Sequence, residues 1–424
     1  MRKFTLIWFG QLVSTIGSYM SDFALTLWAW ELTGSATALA LVGFFSLLPR
    51  IFISIFAGII VDRANRKYLM MLGDAIAASS TIGILLLHLS GNLAIWHLYL
   101  AASINGGFGQ VQQLAYSTSI TLLVSPQNYT RANSLNSVVH YGSNIIAPAI
   151  AGILYPIIGL GGILPIDLAT FGVAIATLVW IRIPQPSGEQ RKQGSGGGRF
   201  AVFWAEITFG IRYIWQRNSL RTLLFVTALF WFAHDLGGAI GDPMILARSN
   251  NNSQALGAIF SAAGIGGVTG AIVLSAWGGT KRRVNGMLAG FMGAGTAKTI
   301  FGLGQSTTVW LPAQFCSSLN FPLLGSSETA LWMEAVPPEL QGRVFAANSL
   351  VLQLLSAIAT LIVGPLCDRI LEPAMQSDTI LSSLFAPIFG KSAGAGMALL
   401  YVGCAIAMFL IGAIGFRLPQ LRRL

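Results

Sequence analysis

Long apolar stretches alternate with short polar gaps along the whole chain. Each stretch has about 20 residues or more, which is enough for an α-helix to cross a hydrocarbon core about 30 Å thick. The alternating pattern typical of membrane β-strands is absent, so the sequence predicts an all-α membrane protein. The twelve stretches lie near Phe4–Trp30, Ala36–Val61, Leu69–Leu89, Leu93–Leu123, Ala132–Ile157, Ile163–Ile183, Leu220–Met244, Ala255–Trp277, Val284–Leu303, Val309–Val336, Val344–Leu366 and Gly394–Phe416.

Positive charge is concentrated in alternate gaps between these stretches. With the N-terminus placed inside, all but five of the 25 Lys and Arg residues fall in inside gaps; the exceptions are Arg50, Arg248, Lys298, Arg369 and Lys391. The positive-inside rule predicts this bias for a multi-pass bacterial inner-membrane protein with both termini in the cytoplasm. A net charge of +10 could indicate nucleic-acid binding. Because the excess lies in short loops that face anionic lipid headgroups, we expect a bilayer and no nucleic acid as partner.

Composition supports a membrane protein. Hydrophobic residues make up 54% of the chain and charged residues 9%, whereas soluble domains carry about 25% charged residues. The 48 glycines suit close helix packing in lipid. Cys316, Cys367 and Cys404 fall in apolar stretches without a metal-ligand or disulfide spacing, so we interpret them as reduced packing residues.

A central polar segment divides the chain into two halves. Residues 184–198 are rich in Gly, Ser, Gln and charge, and an amphipathic helix is predicted directly after them over Phe200–Arg217. The predicted domains are therefore an N-terminal six-helix bundle (1–183), a cytoplasmic linker with an interfacial helix (184–218) and a C-terminal six-helix bundle (219–424). Arg131 matches Arg343, and Asp22 matches Asp235, at offsets near half the chain length. Such a parallel repeat is typical of a two-bundle secondary transporter.

The gap after the second stretch contains the most specific motif, Gly58-Ile-Ile-Val-Asp62-Arg63-Ala-Asn65-Arg66-Lys67. It resembles the G-x-x-x-D-R-x-x-R-K loop of the major facilitator superfamily, and the resemblance covers all twelve stretches. The finer pattern is similar to the macrolide- and siderophore-exporter branch of that superfamily. It comprises Thr33-Gly34-Ser35, Pro49, Arg131-Ala132-Asn133-Ser134, Gln341-Gly342-Arg343-Val344-Phe345-Ala346 and Gly364-Pro365-Leu366-Cys367-Asp368-Arg369.

The resemblance implies a gating role for Gly58, Asp62, Arg63, Arg66 and Lys67. Gly58 permits close helix contact, and Asp62 can accept hydrogen bonds from the amides at a helix N-terminus. The three basic residues can pair with helix C-termini and acidic groups, which would hold the halves together in one state. A plain topology anchor is the alternative interpretation. The second-half counterpart, residues 277–283, keeps the basic cluster but lacks the acid, so we expect asymmetric latching.

Charged residues within membrane-spanning helices are candidates for proton or substrate handling, because burying a charge in lipid is costly. The candidates are Asp22, Arg50, Asp235 and Glu328, and Arg50 could reach Asp22 if their helices are neighbours. The resemblance places the first, seventh and tenth helices, which carry the three acids, around a central cavity. We expect Asp74 and Asp167 to be packing residues and Lys298 to extend toward the outer face. For His140 and His234 we expect hydrogen-bonded core roles.

Polar and aromatic residues of the fourth and tenth stretches are candidates for lining that cavity. They are Asn105, Gln112, Gln113, Tyr116, Asn320 and Trp332. Such a lining suits a bulky amphipathic solute that is neutral or weakly charged, whereas sugar phosphates or nucleotides would require several buried cations. The sequence contains no nucleophile–base arrangement, phosphate loop or metal cluster. We therefore expect no enzymatic activity and no cofactor, with a proton gradient as the energy source.

The leading hypothesis is a monomeric secondary transporter that exports a small amphipathic molecule in exchange for protons by alternating access. The substrate would be a drug, a siderophore or a secreted peptide or metabolite. Proton-coupled uptake of a small solute is the first alternative. A membrane enzyme or lipid-handling protein is the second alternative, and a non-transporting scaffold or sensor that keeps the fold is the third.

Overall fold

The computed structural model of the chain describes residues 2–181 and 199–422, and every regular element in these ranges is helical. The predicted linker residues 184–198 lie outside them. The helices are α1 (Arg2–Thr33), α2 (Ala36–Arg63), α3 (Arg66–Leu89), α4 (Ile95–Leu123), α5 (Tyr129–Trp180), α6 (Arg199–Gln216), α7 (Asn218–Arg248), α8 (Ser253–Trp277), α9 (Arg283–Leu303), α10 (Thr307–Leu319), α11 (Phe321–Ala335), α12 (Pro338–Leu366), α13 (Glu372–Gln376), α14 (Ile380–Phe389), α15 (Ala395–Gly415) and α16 (Pro419–Arg422).

The twelve predicted spans are all present, although two pairs of boundaries differ from the sequence pattern. Helix α5 contains both the fifth and the sixth span, and Gly159 separates them with a left-handed backbone (φ 61°) that glycine adopts readily. The tenth span is divided into α10 and α11, which meet at Asn320. Among the described residues, seven helices are long and apolar enough to cross a membrane by length and composition alone.

The chain folds into two compact units. Unit 1 comprises Met1–Thr33 and Leu41–Gly197, and unit 2 comprises Gly34–Ala40 and Gly198–Leu424. The first turn of α2 therefore belongs to unit 2, while the rest of the helix belongs to unit 1.

Glycine allows helices within each unit to approach backbone to backbone. A Cβ at Gly106 of α4 would overlap the backbone of Ser46 in α2. In unit 2, a Cβ at Gly266 or Gly270 of α8 would overlap the carbonyls of Phe315 and Leu319 in α10. These contacts explain the high glycine content, because close packing replaces water exclusion as the force that joins helices in lipid.

Helix α6 is the amphipathic helix predicted after the linker. Only part of its apolar stripe is buried against the protein, and the rest is exposed. Ile207 and Ile214 are buried in unit 2, whereas Trp204 and Ile211 are exposed. The helix packs on α12 and α7. The side chains of Phe200 and Phe203, which belong to the predicted stripe, lie outside the described residues.

The segment between the last two spans contains structure that the hydropathy pattern did not indicate. A five-residue π turn, Cys367–Leu371, follows α12, and the short helices α13 and α14 come after it. Two carboxylates of this segment cap other helices in unit 2. Glu372 accepts a hydrogen bond from the Met397 amide (3.0 Å) at the start of α15, and Asp368 caps the start of α2.

Candidate functional site

Unit 1 contains a polar cluster around Asp22 in the second half of α1. The structure brings Asp22 within electrostatic range of Arg50 in the middle of α2, of Asp167 in α5 and of Tyr19 one turn earlier. Both Asp22 and Arg50 are exposed rather than packed in the core. Charged groups inside spanning helices usually face a water-filled space or one another, so this pair is the strongest site candidate in unit 1.

Two other acids of unit 1 are enclosed by helix packing. Asp74 and Asp167 are each 2% exposed. Asp74 accepts hydrogen bonds from Gln112 Nε2 at 2.5 Å and from Gln11 Nε2 at 3.4 Å, and Asp167 accepts one from Thr81 Oγ1 at 3.4 Å. These bonds join α3 to α4 and α1, and α5 to α3. A packing role for both acids agrees with the contacts.

Unit 2 holds a second cluster, built on aromatic rings. Trp231 Nε1 donates to Glu328 Oε2 at 3.1 Å, which joins α7 to α11 and leaves Glu328 8% exposed. The His234 ring lies parallel to Phe230 and 5.0 Å from the Phe321 ring. The buried Nδ1 of His234 has no hydrogen-bond partner among the described residues. Aromatic rings therefore surround His234, and the predicted hydrogen bond is not made at Nδ1.

Lys298 belongs to the same unit, and its predicted extension to the outer face is wrong. The residue is 7% exposed, and its Nζ donates to the Tyr401 hydroxyl at 3.3 Å. The same Nζ lies 5.4 Å from the centre of the Tyr401 ring, a cation–π geometry. Asp235, which lies near the Ser356 side chain, is the carboxylate that acts electrostatically on Lys298.

The residues expected to line a cavity separate into two groups. Asn105 and Gln113 of α4 are exposed and remain candidates. Gln112 bonds to Asp74 as described, and Trp332 is 3% exposed in the core of unit 2. Asn320 donates to the Cys316 carbonyl at 2.7 Å and packs against Gly293.

Gln112 and Trp332 therefore contribute to helix packing rather than to a cavity wall, whereas the half-buried Asn320, which bonds to the preceding turn, remains a candidate. Polar side chains in lipid satisfy one another between helices, which the sequence pattern cannot distinguish from a cavity wall. Tyr116 is partly buried against the core of unit 1, and its buried hydroxyl has no hydrogen-bond partner among the described residues.

The loop motif after α2 joins helices within unit 1. Asn65 caps α3 by accepting a hydrogen bond from the Lys67 amide (3.0 Å). Arg66 Nη1 donates to the Thr118 carbonyl of α4 at 2.7 Å. Lys67 Nζ donates to the carbonyls of Val179 (3.0 Å) and Ile181 (2.9 Å) at the C-terminal end of α5. The predicted pairing of basic residues with helix C-termini is thus present for Lys67.

Two other members of that motif, Asp62 and Arg63, end α2, but their side chains lie outside the described residues. Gly58 lies in the last two turns of the same helix, and a Cβ there would meet no atom of the described residues within 4 Å. The close helix contact expected at Gly58 is therefore not made with any part of the chain that the structure describes.

Lys67→Met is expected to destabilise the protein by about 1–2 kcal/mol. The substitution removes two charge-assisted hydrogen bonds to unpaired carbonyls at the negative end of a helix dipole. Thermal unfolding of the purified protein in detergent measures the effect. The exposed Lys281, in the corresponding loop of the second half, provides the control Lys281→Met. Equal melting temperatures for both variants would contradict a stabilising role for Lys67.

The second-half loop obtains its acid from another helix. Gly278 and Gly279 have left-handed backbones (φ 80° and 81°) that turn the chain after α8. Arg283 then pairs with Glu334 at the end of α11, with 3.7 Å between Nε and Oε1. Both side chains are about half exposed, so the pair contributes little to stability. The second-half loop has no acid of its own, and Arg283 pairs instead with Glu334, 51 residues later in the chain. This pairing could not be predicted from the loop sequence.

Comparison with known proteins agrees with this fold. The family model described as Major Facilitator Superfamily matches residues 7–360. Macrolide efflux protein A of Streptococcus pyogenes is 25% identical over 370 residues, covering 87% of this chain and 90% of that protein. The multidrug efflux pump Tap of Mycolicibacterium fortuitum is 23% identical over 432 residues, covering 99% of this chain and 96% of the pump. A bacterial homologue of the human lysosomal transporter Spinster superposes with a TM-score of 0.71 at 16% identity, covering 99% of this chain and 97% of that one.

The fold and the buried charges define a membrane transporter, not an enzyme. The chain belongs to the Major Facilitator Superfamily. It is a multi-pass membrane protein of the efflux type, which confirms the resemblance seen in its loop motif.

Proposed function

We propose that the protein is a proton-coupled exporter that works by alternating access in the inner membrane of a bacterium. The observation that carries this proposal is the electrostatic interaction of two exposed residues in spanning helices, Asp22 in the second half of α1 and Arg50 in the middle of α2. A carboxylate beside a cation can release and accept a proton as its surroundings change. Asp235 beside Lys298 gives unit 2 an acid–cation arrangement of the same kind.

The substrate class we propose is a bulky amphipathic molecule, neutral or weakly charged. The exposed Asn105 and Gln113 supply hydrogen-bonding groups without fixed charge. Phe321 and Trp231, around His234, add aromatic surface. The printed names of two relatives, a macrolide efflux protein and a multidrug efflux pump, support this class.

Transport into inverted membrane vesicles tests the proposal. Vesicles containing the protein are supplied with a macrolide or a lipophilic dye, and their lumen is acidified. We expect accumulation above that of vesicles without the protein, and loss of the accumulation when a protonophore is added. Accumulation that is unchanged by the protonophore would contradict proton coupling. Movement only in the opposite direction would favour the uptake alternative.

Orientation can be tested separately from transport. We expect Gln190→Cys to react with an impermeant thiol reagent only from the cytoplasm, and Asn250→Cys only from outside. Asn250 is exposed in the turn after α7, whereas its neighbour Arg248 bonds to the Gly302 and Gly304 carbonyls and is unsuitable as a probe. The measurement is the labelling of intact cells against inverted vesicles. Reaction of both positions from the same side would contradict cytoplasmic termini.

A further inference from the structure

The short helix α14, between the last two spans, has one apolar face that the described residues leave uncovered. Ile380, Leu384 and Ile388 recur every four residues and are 87%, 64% and 54% exposed. The opposite face holds Ser382 and Phe389, which are buried. Because residues four apart lie on one side of a helix, the three exposed side chains form a continuous stripe. We call it the α14 stripe.

Hydrogen bonds tie the C-terminal end of α14 to the ends of spanning helices. Arg248, the last residue of α7, donates from Nη2 to the Phe389 carbonyl at 3.1 Å. Its Nη1 donates to the carbonyls of Gly302 and Gly304 at the end of α9, both at 3.0 Å. One arginine therefore holds α14 at the level where α7 and α9 end.

That level corresponds to a boundary of the membrane. Helices α9 and α15 have 21 residues each, which is about 31 Å at about 1.5 Å per residue. This length matches a hydrocarbon core about 30 Å thick, so both ends of each helix lie near its boundaries. Residues 390–394 connect Phe389 to the start of α15 and are too few to carry α14 more than about 20 Å away. The positive-inside rule places this boundary on the outer side.

The composition of α14 favours hydrocarbon as the partner of its stripe. The helix contains no charged residue. Asp378 and Lys391 flank it and neutralise each other, with 2.7 Å between Oδ1 and Nζ. A stripe without net charge on its flanks does not attract a charged partner, whereas its apolar surface is stabilised by leaving water. The acyl chains of the bilayer at whose boundary the helix lies are the apolar partner within reach.

We propose that α14 is an interfacial anchor whose stripe is immersed in the acyl chains of the outer leaflet. The occupant of the stripe is the lipid itself, and no headgroup charge is required. The anchor lies outside both polar clusters and goes beyond the proposed export function. Arg248 and Lys391, two of the exceptions to the charge bias of the chain, both contact the segment that carries this helix.

Contact quenching by lipid tests the anchor at a single position. In the full-length protein with the exposed Cys316 replaced by alanine, Leu384→Cys is labelled with a polarity-sensitive fluorophore and reconstituted into phosphatidylcholine vesicles with brominated acyl chains. Cys367 and Cys404 are buried and stay in place. An interfacial helix buries its apolar face about 5–10 Å into the boundary, so we expect strong quenching. A label at this position that bromine does not quench would overturn the proposal.

Ser383→Cys is the matched control. Ser383 is also exposed on α14, but it lies about 100° around the helix axis from Leu384. Quenching at this position should be about threefold weaker, because its side chain points along the membrane plane rather than into the acyl chains. Equal quenching at the two positions would overturn the immersed stripe. Both positions are exposed, so neither substitution is expected to impair folding.

Two further measurements distinguish lipid from other occupants. Quenching at Leu384→Cys should be equal in phosphatidylcholine and phosphatidylglycerol vesicles, because no charge takes part. Quenching that requires phosphatidylglycerol would overturn the apolar anchor. At a low ratio of protein to lipid, a bifunctional thiol cross-linker should give no Leu384→Cys dimer. Efficient cross-linking would assign the stripe to a second copy of the chain and overturn the proposal.

These measurements are independent of the proposed export. They need neither a substrate nor a proton gradient, so failure of the transport experiment leaves the quenching result readable. Conversely, loss of quenching at Leu384→Cys in protein that still accumulates substrate would overturn the anchor alone.

Discussion

Asp22→Asn is expected to uncouple transport from the proton gradient. Asp22 is an exposed carboxylate within electrostatic range of Arg50, and asparagine keeps its shape but cannot bind and release a proton. A gradient of one pH unit supplies about 1.4 kcal/mol per proton, which supports about a tenfold substrate gradient. In the variant, the accumulation ratio in inverted vesicles should fall from about ten to about one, while substrate binding is retained.

Asp74→Asn is the control for that experiment. Asp74 is a buried acid of the same unit. Asparagine keeps its shape and can still accept the short hydrogen bond from Gln112 through Oδ1, losing only the 3.4 Å bond from Gln11. This variant should still accumulate substrate. Asp235→Asn should have a smaller effect on accumulation than Asp22→Asn if a single acid couples. Uphill transport by a double Asp22→Asn, Asp235→Asn protein would exclude both acids, and Glu328 would be the next one to test.

Asp235→Asn should have its larger effect on stability, at a cost of about 3 kcal/mol. The substitution leaves Lys298, which is 7% exposed, without the carboxylate that acts on it, and an uncompensated buried charge is strongly destabilising. Lys298→Met should cost less, because Asp235 is only partly buried. Thermal unfolding in detergent would show both effects.

The double variant Asp235→Asn, Lys298→Met makes that test decisive. Removal of both charges should bring stability back to within about 1 kcal/mol of the parent protein, since a buried pair is often no better than an apolar replacement. Additive losses in the double variant would show that the two residues act separately. In that case Lys298 would be held by Tyr401 alone.

The hydropathy pattern determined most of the fold. Twelve apolar stretches and the charge bias of their gaps predicted the helices, because a chain in lipid must satisfy its backbone hydrogen bonds within each spanning segment. The loop Gly58–Lys67 identified the family, and the contacts of Lys67 with the end of α5 follow from elementary helix electrostatics. These features depend on local sequence, so they could be predicted without a structure.

The roles of individual polar residues required the tertiary structure. A glutamine in a spanning helix has the same local sequence signature whether it lines a cavity or bonds to a neighbouring helix. Gln112 does the latter, and Trp332 is a core residue. Lys298 donates a hydrogen bond to Tyr401 because α15 packs beside α9. The hydrophobic periodicity of the sequence does not indicate that these two helices are neighbours.

The sequence by itself determined a twelve-helix transporter, its family and the acids Asp22, Asp235 and Glu328 as candidates for charge movement. Only the tertiary structure decided which groups meet: Arg50 with Asp22, Trp231 with Glu328, and Asp368 with the start of α2. The physical reason is the range of the interactions. Membrane insertion and helix formation depend on neighbouring residues, whereas a hydrogen bond between Ser35 and Asp368 depends on how helices 333 residues apart pack together.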